Sequence, residues 1–495
     1  MAGIALLPNQ SAHVNTLMGM LDQRQFAFDL SIMGSGKTFT ATRMAYLRGL
    51  KRVIVICPAS VIPKWKSMAR HNPELAFIIT SFQSLRSTKL HQPSHGLLYR
   101  REESMPKFQV TPLFTQYVEE GTLVVVDEIQ NIKNVTAQLF AVQAMAIEVM
   151  KPGPSKLLML SASPIDKVTQ AVEVFRGLGI LLEPLTQYNP ALGSNVWTGL
   201  RAVHNFCLGI NSLATRNTQV RQYYEPTNDP YVYRLFQAVL VKHCSSSMIP
   251  PPHPTAKLTK ANAYYYIDQQ GEEILQRGMH VLTTETNFNG QYVQWDAQRI
   301  SSISRALQVI ETGKIQLFVR ITRDHLAANP QAKVVIAVNY TETLKDLRQL
   351  LSDFLPLSLE GCMSTVQREK SLRLFAEPST VHRVMVCNQS VASTGIDLDD
   401  KDGNYPRLCL VNPTYSSIIA FQLGHRFLRM DTRSNAAVHF VFALRRGQTP
   451  SQCGDIVELK VLDALSRKST VMRETTGMEV DDVQYPGEHE EFIES

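Results

Sequence analysis

Two short stretches constrain this chain more than any others: Ser31-Ile32-Met33-Gly34-Ser35-Gly36-Lys37-Thr38, and the apolar run Val124-Val125-Val126 that ends in Asp127-Glu128. A glycine-containing loop closed by Lys-Thr suits a phosphate cradle. Gly34 and Gly36, with Ser35 between them, let backbone N–H groups approach the oxygens, while Lys37 neutralises β/γ charge and Thr38 offers a hydroxyl to Mg²⁺. A buried strand that delivers two carboxylates supplies the other half of such a site. Asp127 would hold the metal through its waters, and Glu128 would polarise an attacking water. Ser31 stands where the full P-loop pattern has its first glycine. The loop alone could be an ordinary turn; paired with Asp127-Glu128 it implies an ATP- and Mg²⁺-using hydrolase.

At 495 residues the chain has room for two or three domains, each with its own core. Hydrophobic content of 44% and charged content of 19% are ordinary for a globular protein. No apolar run approaches the roughly twenty residues that span a bilayer, and no basic segment with an apolar core opens the chain, so it reads as intracellular. The seven cysteines include no C-x-x-C pair, which argues against a disulfide framework and a zinc site. Several lie in apolar runs, where a free Cys is a small core residue. A net charge of +6 permits a phosphate-backbone partner without demonstrating one.

Short β-branched runs alternate with helical stretches through the first part of the chain. A helix over 11–21 precedes the loop, and one over 38–50 follows it and aims its N-terminus at the phosphates. The runs at 53–58, 77–80, 123–126 and 157–160 read as buried parallel strands, the last ending in Ser161-Ala162-Ser163. Such alternation implies a doubly wound α/β lobe whose ligands sit at the carboxyl ends of the strands. Every candidate motif falls at such an end.

In order, the loop, Cys57-Pro58-Ala59-Ser60-Val61-Ile62-Pro63-Lys64-Trp65, Thr80-Ser81-Phe82-Gln83-Ser84-Leu85 and Asp127-Glu128-Ile129-Gln130-Asn131-Ile132-Lys133-Asn134 resemble superfamily 2 helicases, and most of all the SWI/SNF-type ATPases. The resemblance implies nucleic-acid contacts at Pro58, Ser60, Thr80 and Ser81. It implies adenine reading by Gln10, and coupling of hydrolysis to movement through Gln130, Ser161, Ala162 and Ser163. Gln130 departs from the His common at its place. Trp65 is more often a core anchor than a nucleic-acid contact. The stretch from Arg86 to Lys107, with Lys89, His91, His95, Tyr99, Arg100 and Arg101, reads as a loop, either backbone-gripping or merely solvated and balanced by Glu102 and Glu103.

From 184 to 301 the rhythm weakens, with Pro226, Pro230 and Pro250-Pro251-Pro252-His253-Pro254 between helical pieces; the triple proline suits a semi-rigid connector. Tyr264-Tyr265-Tyr266 would point around a helix in several directions, which favours packing over base stacking. A second lobe begins with the strand 333–338 and a helix over 343–351, and Gly361, Arg368 and Phe375 resemble the SWI/SNF second-lobe signature. A strand over 383–387 leads into Val391-Ala392-Ser393-Thr394-Gly395-Ile396-Asp397, similar to superfamily 2 motif V. That implies nucleic-acid contact by Ser393 and Thr394 and nucleotide sensing by Gly395 and Asp397. Gln422, Arg426 and Arg429 match motif VI, with Gln422 coupling and both arginines meeting γ-phosphoryl charge; three apart on a helix, they would share a face. Asn412-Pro413 lies farther upstream of Gln422 than in typical SWI/SNF sequences.

The expected architecture is α/β, with two tandem RecA-like doubly wound parallel-sheet lobes. They would occupy 1–183 and 302–447, with a helical region over 184–301 and an acidic, disordered tail within 448–495 that includes Glu479, Asp481, Asp482, Glu488, Glu490, Glu491 and Glu494. The expected function is a nucleic-acid-stimulated ATPase that translocates on DNA, with double-stranded DNA as partner alongside proteins of a transcription, replication or remodelling complex. The alternatives are a strand-separating DNA or RNA helicase, and an ATP-binding scaffold subunit, against which Glu128 and both arginines speak. Size and layout are also similar to the nucleic-acid-dependent NTPases of large DNA viruses, so the expected location is the nucleus or a virion or viral replication site.

Overall fold

The computed structural model describes residues 6–86, 96–100, 107–218, 229–248, 255–286, 297–393, 395–414, 416–445, 468, 470–474 and 490–492. The chain divides into two compact units, one of residues 1–251 with 470–479 and one of residues 252–469 with 480–495.

The first unit is built on a six-stranded sheet in the order Ser245–Ser246, Phe26–Asp29, Lys156–Leu160, Thr122–Asp127, Arg52–Cys57, Ala76–Ser81, parallel throughout. Its central strands carry apolar side chains on both faces because helices cover both. Val124, Val126, Ile54 and Ile56 enter one core, while Leu123, Val125, Val53 and Val55 enter the other. Helices Pro8–Gln23 and Lys37–Leu47 supply much of the second core through Val14, Leu17, Leu21, Ala41 and Met44.

The second unit repeats the plan with a seven-stranded parallel sheet. Its order is Leu357–Leu359, Val384–Asn388, Lys333–Val338, Arg407–Val411, Ala436–Leu444, Leu258–Tyr266, Glu490–Phe492. Val334, Ile336 and Val338 face one core and Val335 and Ala337 the other. Both lobes are therefore RecA-like doubly wound α/β sheets.

Four expectations need correction. The stretch 184–301 is not a separate helical region. Helices Gly199–Ile210 and Asp229–Leu235 bury Leu200, Val203, Val232 and Leu235 in the first unit's core, whereas Gln269–Thr286 and Ala297–Gly313 belong to the second. Tyr264-Tyr265-Tyr266 lies on a strand rather than a helix. Period-2 alternation sends Tyr264 into one core of the second unit and Tyr265 into the other. Within the expected loop, Leu98–Arg100 pairs antiparallel with Phe108–Val110. In the expected acidic tail, Glu490–Phe492 pairs with Leu258–Tyr266, whose outer backbone groups would otherwise be an open sheet edge, and residues 470–474 are helical with Met472 buried.

Lys89, His91, His95, Arg101, Glu102, Glu103, Pro226, residues 250–254, Glu479, Asp481, Asp482, Glu488 and Glu494 lie outside the described residues, as does Cys453. Of the described cysteines all are free, and Cys57, Cys207, Cys244, Cys387 and Cys409 are buried. No described helix is long and apolar enough to cross a membrane.

Candidate active site

In the first unit, parallel register brings three strand ends side by side: Asp29 and Asp127 both sit opposite Leu160, and Ser161 N–H donates to the carbonyl of Asp29 (3.1 Å). The phosphate loop leaves the first of these strands and feeds the N-terminus of Lys37–Leu47. Gly34 and Gly36 have φ of 80° and 96°, where a side chain is strained. A Cβ on Gly36 would also stand 2.4 Å from Gln10 Nε2, so only glycine lets Gln10 close on the loop. Gln10 Nε2 donates to the carbonyl of Ser35 (3.1 Å) while its Oε1 accepts from Leu7 N–H (3.0 Å), and the Ser35 hydroxyl donates to the carbonyl of Ile32 (2.7 Å). Lys37 Nζ donates to the carbonyls of Ser31 (2.8 Å) and Ile32 (3.1 Å), which keeps its charge over the cradle. Thr38, one residue into the helix, is buried.

Asp127 ends the neighbouring strand but one and is buried, with Oδ2 accepting from Trp65 Nε1 (2.8 Å). Burial, then the charge of Glu128, push its carboxyl up to about 6, against the Trp65 hydrogen bond and the cations Lys37 and Lys64. Glu128 follows at φ 62°, a conformation rare outside glycine, just after the strand ends at Asp127. From it a chain of contacts crosses to the next strand end. Gln130 Nε2 donates to Glu128 Oε2 (2.7 Å), Ser161 Oγ donates to Gln130 Oε1 (2.8 Å), and Ser163 N–H donates to Ser161 Oγ (2.9 Å). Ala162 is buried between them, and the buried Ser163 hydroxyl has no hydrogen-bond partner among the described residues. Gln130, where a His is common in the SWI/SNF pattern, thus links the Glu128 carboxylate to the Ser161 hydroxyl.

The expected nucleic-acid residues sit at the ends of the outer strands. Pro58 is buried and Ser60 half-buried; Thr80 and Ser81 are buried, with the Ser81 hydroxyl accepting from Ser84 N–H (3.0 Å) and so starting the helix Phe82–Arg86. Among these four, Ser60 keeps the most exposed surface for a ligand.

In the second unit, the segments that resemble motifs V and VI meet. Helix Ser417–Gly424 carries the buried Gln422 but stops before the arginines, so Arg426 and Arg429 do not share a helical face as expected. They reach the same segment from the turn that follows. Arg426, buried, donates through Nε (3.0 Å) and Nη2 to the carbonyl of Ser393, and Arg429 Nε pairs with Asp397 Oδ1 (2.6 Å). Ser393 is itself buried, Gly395 has φ 69°, and Thr394 lies outside the described residues. Lys260 reaches motif VI from the strand Leu258–Tyr266, with Nζ 3.1 Å from His425 Nε2; burial pushes its ammonium down to about 7. A Cβ at Gly424 would stand 3.2 Å from Lys260 Cε, so the glycine makes room for it. Arg368 Nη2 donates to the carbonyl of Gly361 (2.8 Å), and Phe375 is buried beneath Lys333 and Arg407, which gives that signature a structural role.

Sequence reasoning missed Trp65 as a partner of Asp127, Lys260, and the pair Lys133–Asp166 (2.8 Å) that ties the Asp-Glu segment to the loop after Ser163. A tryptophan among apolar residues and a lysine within a mixed strand carry no local signal of such partners.

Two parallel doubly wound α/β lobes thus carry, in order along the chain, the segments that resemble superfamily 2 helicase motifs. No family model matches the sequence. A "Putative ATP-dependent RNA helicase" of Acanthamoeba polyphaga mimivirus is 23% identical over 440 residues, covering 85% of this chain and 76% of that protein. Among solved structures, the chain is similar to the Sulfolobus solfataricus SWI2/SNF2 ATPase core in complex with dsDNA (16% identity, 97% of this chain and 98% of that one, TM-score 0.32). It is similar also to the Pyrococcus furiosus Hef helicase domain (13%, 89% and 95%, TM-score 0.38).

Proposed function

We propose that this chain is a nucleic-acid-stimulated ATPase that couples hydrolysis to translocation on double-stranded DNA. The observation that carries the reading is the convergence of Lys37, Asp127 and Glu128 at adjoining strand ends, with Glu128 linked through Gln130 to Ser161. The donor set fits its ligands. A glycine-lined loop under a lysine suits triphosphate oxygens, and one hydroxyl (Thr38) with one carboxylate (Asp127) suits Mg²⁺, which keeps most of its waters. Mg²⁺ would neutralise charge on the β- and γ-oxygens. Trp65 holds the Asp127 carboxylate in one orientation, and Glu128 orients a water in line with the γ-phosphorus; that water's oxygen bonds to phosphorus as the β–γ bridge breaks, yielding ADP and phosphate. The Gln130–Ser161 contact makes the position of Glu128 depend on the segment after Lys156–Leu160, where a nucleic-acid response could enter.

Arg426 and Arg429 would meet developing γ-phosphoryl charge, which planar guanidinium groups can do bidentately. A strand-separating activity on RNA or DNA is the second reading, favoured by the name of the mimivirus relative. ATPase assays with duplex DNA, single-stranded DNA and RNA, followed by strand displacement on a tailed duplex, decide between them. Stimulation by duplex DNA without displacement supports translocation; displacement replaces it with the second reading.

A further inference from the structure

Beneath the phosphate loop lies a buried polar cluster to which the hydrolytic chemistry assigns no role. His13, on the helix Pro8–Gln23, is buried with Nε2 3.1 Å from Asp29 Oδ1 and Nδ1 3.0 Å from Ser246 Oγ. Asp29, with no exposed surface, also accepts from Ser31 N–H (3.0 Å) and from Thr40 Oγ1 (3.3 Å) in the first turn of the loop's helix. Burial would raise its carboxyl, but the hydrogen bond and charge of His13 and the charge of Lys37 prevail and hold it below its ordinary value. Ser31 completes the cluster: its Oγ accepts from Met248 N–H (2.8 Å) and lies 3.3 Å from His13 Nε2. Leu30 N–H donates to the carbonyl of Ser246 (2.9 Å).

Resting on the ATP-binding reading, we propose that His13 and Ser31 are positioning residues that latch the phosphate loop to residues 245–248, and that filling the loop with nucleotide loosens this latch. Residues 245–248 are the last described ones before the chain passes, at 251/252, from the first unit to the second. Ser31 is the pivot. Its carbonyl takes the Lys37 ammonium (2.8 Å) while its hydroxyl holds Met248, so one residue senses the charge that a phosphate would draw away and grips the departing chain. A glycine at this P-loop position could not do so, because it would leave Met248 N–H without its acceptor. The Ser31 departure from the P-loop pattern thereby gains a use. His13 holds the other side by bridging Asp29, under the loop, to Ser246.

A latch that favours the empty loop makes a signed prediction: weakening it tightens nucleotide binding, because less of the protein is withheld from the competent state. Hydrogen–deuterium exchange of the full chain with and without Mg-ATPγS reads the latch directly. In the wild type, nucleotide should speed exchange at the Met248 and Leu30 amides about tenfold. Ser246→Ala and His13→Gln should speed it without nucleotide and lower the ATPγS dissociation constant about threefold. His13→Gln keeps a donor for Asp29 and should fold as the wild type does; Ser246→Ala, in the neighbouring strand, stands in if it does not. Nucleotide binding that leaves residues 245–248 unchanged, or weaker binding in both variants, overturns the latch alone. Failure of the wild type to bind ATPγS overturns it together with the ATPase reading.

Discussion

The two units hold their candidate reactive groups by different means. In the first, Asp29, Asp127 and Ser161 are aligned by the register of adjoining parallel strands, and Lys37 by the helix that follows the loop. Backbone geometry does the positioning, and side-chain contacts such as Trp65–Asp127 only refine it. In the second, Arg426 and Arg429 lie beyond the end of a helix, and their own hydrogen bonds to Ser393 and Asp397 hold them in place. The carboxylates are thus set by the fold, whereas each arginine is partly committed to its own unit. The proposed role of either arginine at a phosphoryl group would have to compete with those internal partners.

The largest expected effect tests the first unit. Glu128→Gln should lower turnover about 10²- to 10⁴-fold while ATP binding persists; normal hydrolysis by this variant would remove its assigned role. Lys37→Ala should instead lose ATP binding, as an equilibrium titration would show.

The arginines sharpen the contrast. Arg426→Ala removes buried charge-assisted hydrogen bonds and should destabilise the second unit by about 1–3 kcal/mol besides lowering ATPase activity. Arg429→Ala breaks a pair whose carboxylate is half exposed and should cost under about 1 kcal/mol, yet still lower the ATPase rate. Denaturant melts beside rate measurements separate the two. Retained hydrolysis in the double variant would strip both of the proposed role.

A smaller effect concerns pH. The Asp127 carboxyl is raised from 3.8 to about 6, so its contribution to apo stability is fully present below pH 3.8 and is lost as pH rises through 6. At pH 7.5 the apo protein carries the cost of a buried charge. Asp127→Asn should therefore raise apo stability there, by an amount on the order of 1–3 kcal/mol, while abolishing ATPase activity. A lower melting temperature at pH 7.5 would show that the carboxylate is held for stability rather than for a metal. Smallest, Trp65→Phe keeps the ring's packing but removes one hydrogen bond to Asp127, and should raise the Mg²⁺ concentration needed for half-maximal rate about tenfold.

How much could be read beforehand follows the same division. Four strands of the first sheet (53–57, 77–80, 123–126, 157–160) and two of the second (333–338, 383–387) were legible because a parallel strand covered on both faces reads as a short, continuous apolar run; Phe26–Asp29, Arg407–Val411 and Ala436–Leu444 went unread. The phosphate loop and Asp127-Glu128 were legible because adjacent residues at a strand end carry the chemistry. Contacts between distant residues were not. Nothing local announces that Trp65 meets Asp127, that Lys260 reaches His425, or that Ser31 holds Met248. The helix carrying Gln422 ends at Gly424, although Gln422, Arg426 and Arg429 keep helical spacing; the chain beyond it turns to place Arg426 on Ser393. Tyr264 to Tyr266 misled for the opposite reason, since three adjacent aromatic residues show no period and only the neighbouring strand decides their faces.

The most direct test of the central reading is the steady-state ATPase rate of the full chain with saturating Mg-ATP, alone and with duplex DNA, single-stranded DNA or RNA. A motor whose Glu128 responds to its track through Gln130 and Ser161 should hydrolyse slowly alone and at least about tenfold faster with duplex DNA. A rate that no nucleic acid changes would contradict it.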